Sequence, residues 1–178
     1  MKLIFETYAK YNARMNQQFY DLASKLDRTQ LNENRGIYFG SIIATLNHIV
    51  VGDISWLKRF AQHPLHFTSL ELVRELPQPP RLSSIIYDDL VQLHQLRKSL
   101  DDCILAYTRE IDATALRTSL TYSNFRGVQS TKSLKLLMLH FFNHQTHHRG
   151  QVSALFNQMN IDIGVTDLLL EIPNLSSG

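Results

Sequence analysis

Four of the chain's eight histidines sit in one stretch, His140-Phe-Phe-Asn-His144-Gln-Thr-His147-His148-Arg-Gly-Gln151. Leu134, Leu137, Phe141, His144, His148, Val152, Leu155 and Met159 follow at steps of three or four residues, the spacing of one helix face turned to a core. Residues four apart point the same way one turn up a helix, so the His144 and His148 rings converge. Two neutral imidazoles there can share a transition-metal ion. The competing reading is a pair of core histidines whose nitrogens are all hydrogen-bonded. Burying two such rings without strong partners costs about 1–3 kcal/mol each, which favours a ligand that repays both.

Two ligands do not complete a site, and His48 is the best outside candidate. It lies in a second periodic segment, Ser41 to Leu57, whose apolar stripe is Ile42, Leu46, Ile49, Trp56, Leu57 and Phe60. Ala44, Thr45, Gly52 and Ser55 surround it on the helix surface, and such small side chains leave room for an imidazole and a close neighbouring helix. A helix-packing histidine is the alternative. Three imidazoles on one ion leave coordination positions open to water or substrate, as in catalytic zinc sites. Nickel fits the same donors, and iron and copper also accept imidazole. Such an ion lowers the pKa of a bound water to about 7 or turns a thiol into a thiolate. Since only neutral imidazole binds, affinity is expected to fall below about pH 6.5.

Two related sites are excluded by residue type. A zinc protease needs Glu after the first histidine of its pair, where this chain has Gln145, which cannot act as a base. A ferritin-like di-iron site needs Glu-x-x-His pairs on two helices with further glutamates, and these seams carry none. No general base or catalytic residue is identifiable.

Long helices must position these rings. Leu3/Ile4, Tyr8, Tyr11, Met15, Phe19, Leu22 and Leu26 describe a first helix of about six or seven turns, broken by Asn32 to Arg35. The second is expected from about Ile37 to Ala61, stopping by Pro64. A long connection with Pro77, Pro79 and Pro80 follows, and Leu82, Ile86, Leu90, Leu93, Leu100 and Ile104 mark the third. Ser130 or Thr131 is expected to cap the fourth, histidine-rich helix. A small hairpin fits residues 120–130 around Asn124 to Gly127. A short helix at Asp167 to Glu171 is expected to close the core, and residues 174–178 to fray. The reading is an all-α chain, a four-helix bundle with a long crossover between helices 2 and 3, forming one domain over residues 1–173.

His48 followed by Trp56-Leu57, and later His144-Gln-Thr-His-His148-Arg-Gly-Gln, resembles the DinB family of metal-binding helical bundles. Tyr11-Asn-Ala-Arg-Met-Asn16, Leu120-Thr-Tyr-Ser-Asn-Phe-Arg-Gly127 and Thr166-Asp-Leu-Leu169 fall in the order and spacing of that family, so the resemblance covers nearly the whole chain. It implies the metal ligands His48, His144 and His148. It also implies a metal-dependent enzyme acting on a small molecule, either a transferase or isomerase using a low-molecular-weight thiol or a hydrolase, and a homodimer paired through helix faces. The competing function is a non-enzymatic, stress-induced metal-binding or interaction protein.

The other polar residues read more quietly. His140 and His147 are expected at exposed or edge positions. Arg149 and Gln151 are placed to orient ligands or water, and Gly150 to allow close helix approach, with structural roles favoured for all three. Asn12 and Asn16 share a face that is either solvated or hydrogen-bonded to another helix. Asp53 lies off the His48 face. His63 and His66, bracketing Pro64, are expected in solvent, and His94 at the core boundary.

A formal net charge of +2 with scattered basic residues gives nucleic-acid binding no support. No segment joins a lysine-rich face to a strongly apolar one, and no apolar run approaches a membrane span. Charges come too early for a secretory signal, so a cytoplasmic location is expected. The one cysteine, Cys103, cannot form an internal disulfide and reads as a packed thiol.

Overall fold

The computed structural model describes residues 1–174, so the expected frayed tail lies, Asn174 apart, outside the described residues. α1 (Lys2–Ala23) buries Phe5, Ala9, Met15, Phe19 and Ala23 on one stripe. α2 (Arg28–Asn32) is a single turn held by a capping box between Asp27 and Gln30. α3 (Ile42–Phe60) starts where the Ser41 hydroxyl accepts from the Ala44 N–H. After a long connection carrying α4 (Glu71–Glu75), α5 (Leu90–Glu110) begins with Asp89 accepting from Gln92 N–H at 2.8 Å. β1 (Ser119–Ser123) and β2 (Gln129–Ser133) form an antiparallel hairpin leading into α6 (Leu134–Gln158). The chain is mostly helical with this one small sheet among the described residues.

α1 packs along α5 and α6, and α3 packs along α6 and α5. The interior between them is filled by large side chains, among them Phe19, Phe60, Phe141, Phe142, Phe156 and Tyr107. Thus α3 and α6, the carriers of the three candidate ligands, lie side by side. Among the described residues no helix is long and apolar enough to cross a membrane.

Several boundaries differ from the periodic reading. α3 starts at Ile42 and not Ile37, because Ile37 to Gly40 forms a tight turn, with Gly40 at φ 84°. α5 starts at Leu90 and not Leu82; the apolar spacing of Leu82 and Ile86 belongs to a segment lying against α3. Ser130 and Thr131 pair in β2, and α6 has Ser133 at its N-cap with no side-chain cap bond. The C-terminal helix is a 3-10 turn, Leu168–Glu171, with Leu169 and Leu170 exposed; only Leu168 packs on the core.

Candidate metal centre

The α3–α6 pairing brings His48, His144 and His148 together, with one ring nitrogen from each all within 4.8 Å of one another. Three imidazole nitrogens on a tetrahedral ion at 2.0–2.1 Å stand about 3.3–3.4 Å apart, so small ring rotations close the set. His48 is 4% exposed, while His144 and His148 are half-buried. The truly buried stripe of α6 runs through Leu134, Leu137, Phe141, Gln145, Arg149, Val152 and Leu155. The two histidines therefore flank the core seam where the sequence spacing puts them in it.

Tautomers follow from the acceptors around the rings. His48 Nδ1 lies 2.9 Å from the Leu82 carbonyl oxygen, which can only accept, so Nδ1 carries the proton. With the Gln151 amide oriented so that its Oε1 lies 2.8 Å from His148 Nδ1, that nitrogen donates to it. Both Nε2 atoms are then bare lone pairs, and they face each other at 3.0 Å. With the amide in that orientation the two lone pairs repel unless a cation lies between them, whereas turning it over would let His148 Nε2–H donate to His48 Nε2. Neither ring nitrogen of His144 has a hydrogen-bond partner among the described residues, which leaves it free to join as the third donor. The donor set fits a borderline-soft divalent ion such as zinc or nickel.

The surroundings hold the rings in this attitude. Phe39 stacks on His48 with ring centroids 3.9 Å apart. Asn47 accepts from Ile86 N–H at 2.7 Å and donates to the Tyr87 carbonyl at 2.8 Å, which pins the extended segment whose Leu82 carbonyl meets His48. A Cβ on Gly52 would stand 2.6 Å from His144 Cε1, so this glycine clears the space the ring occupies. Gly150, expected to serve close approach, is exposed with nothing near its missing Cβ. Burial, then the neighbouring His148 and His48, push His144 down to about 3, and burial also lowers His48 and His148. All three are neutral donors at neutral pH.

A second polar cluster lies one residue behind the first. Arg97 is 1% exposed and pairs with Asp53, and its other terminal nitrogen lies 3.1 Å from Asp101. Asn16 donates to Asp101 at 2.8 Å, Gln145 to Asp53 at 2.7 Å, and Arg149 to the Asn12 side-chain oxygen. Two arginines and two aspartates balance, and the network ties α1, α3, α5 and α6 together. Asn12 and Asn16 thus hydrogen-bond between helices, and neither is solvated. Asp53 faces away from His48, into this network. Arg97 and Asp101 had a readable signal, because they sit on the same stripe as Leu93, Leu100 and Ile104.

His63 is not in solvent: it is 4% exposed, with Nε2 2.8 Å from the Thr118 hydroxyl and Nδ1 accepting from Leu65 N–H. His66 is exposed, His94 stacks on Tyr20 at the core edge, and His140 and His147 are exposed. Cys103 is buried, with its thiol pushed up to about 11 by burial, and donates to the Ser69 carbonyl.

Comparison with known proteins agrees in extent. The profile of the DinB family matches residues 1–173. The chain is also 25% identical over 164 residues to "Protein DinB" of Bacillus subtilis (strain 168), covering 92% of this chain and 90% of that protein.

Proposed function

The chain belongs to the DinB family, and from that premise we propose that it binds one divalent transition metal through His48, His144 and His148 and uses it as an enzyme. The observation that carries the metal is the convergence of one ring nitrogen from each of the three histidines within 4.8 Å, with His48 Nδ1–H committed to the Leu82 carbonyl and its Nε2 3.0 Å from His148 Nε2. When bound, zinc or nickel would supply Lewis acidity that generates a nucleophile from a thiol or from water. The chain's own residues do the rest. Leu82 and Gln151 hold the tautomers, Phe39 fixes the His48 ring, and Gly52 clears space for His144. Three neutral donors leave the ion its full positive charge and room for a further ligand, which a purely structural site has no use for.

The reaction we propose is a thiol-dependent transfer or isomerisation on a small electrophile, with hydrolysis as the variant in which water replaces the thiol. Four long helices forming a bundle, a single domain over residues 1–173, a homodimer and a cytoplasmic location complete the proposal. Neither a nucleic acid nor a membrane is a partner in it. In the alternative, a stress-induced metal-binding protein, the ion only stabilises the fold and nothing competes for its open positions.

Elemental analysis of untagged protein purified without chelator tests the site, beside His48→Ala and His144→Ala. About one equivalent of transition metal, lost in both folded variants, is expected. A parent that stays metal-free after reloading with zinc, nickel and iron overturns it. Thiols that perturb the spectrum of the cobalt-substituted protein would separate the enzyme from the alternative.

A further inference from the structure

Facing residues along the α3–α6 seam form three levels, one helical turn apart. His48 meets His148, Gly52 meets the His144 ring, and Trp56 meets His140 with ring centroids 5.0 Å apart. Beyond the third level the seam widens into a cleft of about 450 Å³, lined by Trp56, Tyr122, Lys132, Leu136, Leu137 and His140. That volume suits a small organic ligand.

Lys132 is the unexpected residue in this cleft. It stands directly opposite Leu120, which is 2% exposed, and cross-strand partners share a face of the hairpin. The lysine is therefore on the Leu120 face of the hairpin and borders the cleft while exposed to solvent, with no ion pair among the described residues. Arg59 also has no carboxylate partner among the described residues and lies over the Trp56 and Tyr122 rings at 4.6 and 5.2 Å. Burial and then the charges of Lys132 and Arg59 lower His140, which places both cations near its ring. The cleft is thus aromatic-walled, positively charged and without an internal counter-ion.

We infer that this cleft binds a small organic carboxylate, its anionic group on Lys132, its apolar part against Trp56 and Tyr122, and its far end directed past His140 toward the histidine triad. A single lysine in a cleft that Tyr122 and Ser133 also line matches a monoanion. A phosphate selects guanidinium forks or clustered amides, and the Arg59 guanidinium is already stacked on aromatic faces. His140 and His144 are one turn apart, about 5.4 Å along the axis, within reach of a molecule of substrate size. Placing the reactive end at the triad rests on the proposed metal; the carboxylate contact does not.

Trp56 is the chain's one tryptophan, so its fluorescence reports on the cleft. Zinc-reloaded protein is titrated with benzoate, phenylacetate and 3-phenylpropionate, and with their primary amides, beside Lys132→Gln, Lys132→Glu and His148→Ala. At least one carboxylate is expected to change the signal saturably while its amide does not. Lys132→Gln should weaken it about tenfold, Lys132→Glu further, and His148→Ala little. The inference is overturned if no acid binds, if acids and amides behave alike, or if binding needs His148 but not Lys132. The last result would put the carboxylate on the triad itself. Lost carboxylate binding with metal content intact sinks the cleft alone, and absent metal with carboxylate binding intact sinks the proposed metal alone.

Discussion

The two polar clusters of this protein lie back to back on α3 and α6, one residue apart in sequence, and differ in how their atoms are paired. Gly52 and Asp53, His144 and Gln145, and His148 and Arg149 each send one member to the triad and the next to the buried network. In the network the aspartates meet an arginine or amide N–H and the arginine charges are balanced. In the triad His48 Nε2 and His148 Nε2 face each other at 3.0 Å and the His144 ring has no partner among the described residues. A buried cluster whose charges balance internally holds helices together, even with Arg97 Nε, Gln145 Oε1 and Arg149 Nε lacking a hydrogen-bond partner among the described residues, whereas three converging neutral imidazoles are arranged for a cation from outside.

The largest effect that tests this contrast is loss of one network member. Asp53→Ala leaves the Arg97 guanidinium buried with a partner missing and should cost about 3–5 kcal/mol, read by urea denaturation of metal-free protein. A change below 1 kcal/mol would remove the distinction between the clusters.

Zinc should act only through the other cluster. At a hundred times its dissociation constant it should add about 2.7 kcal/mol to the parent and nothing to His148→Ala, by the same denaturation measurement. Equal stabilisation of both proteins would place the ion elsewhere.

Gly52→Ala sharpens the geometry, because its Cβ would stand 2.6 Å from His144 Cε1. Overpacking should cost about 1–3 kcal/mol, and displacement of the ring should lower zinc affinity about 10–100-fold in competition titrations. Unchanged affinity would mean that His144 is not a donor.

A smaller effect concerns pH. His144 is held at about 3 in the folded chain, below the ordinary value near 6.5, so the unfolded chain takes the proton first. Metal-free protein should therefore lose stability as pH falls from about 6.5 toward 3, with His48, His63 and half-buried His148 adding to the same slope. His144→Ala should flatten the curve in that window. Proton competition for the ion also begins lower than free imidazole suggests, so retained affinity somewhat below pH 6.5 is consistent with an all-histidine set; the pH dependence of zinc affinity measures it.

Much of the scaffold was legible because apolar side chains repeat with the period of a helix. The α1, α3, α5 and α6 stripes appear in the sequence, as does the hairpin around Asn124 to Gly127, although α3 starts five residues and α5 eight residues later than the pattern places them. Boundaries failed where a backbone or cap interaction overrode the pattern, as at Ser41 and Asp89. His63 was misread because proximity to Pro64 says nothing about the Thr118 hydroxyl, which reaches it from 55 residues away. In the sequence Asn12 and Asn16 leave open a solvated face or a helix-helix hydrogen bond, and Arg149 a structural or an orienting role, because polarity alone does not show whether a partner waits across a helix interface.

Residue type and spacing were enough to nominate His48, His144 and His148, since four-residue separation on a helix is a local geometric fact and glycine at position 52 is a local vacancy. Tertiary structure alone decided which nitrogens stay bare. That depends on the Leu82 carbonyl, brought to His48 by Asn47 and the extended segment, and on antiparallel pairing that sets His48 against His148 from 100 residues apart. It also decided that Lys132 shares the Leu120 face of the hairpin and borders the cleft, because strand register assigns a side chain to a face and no composition can.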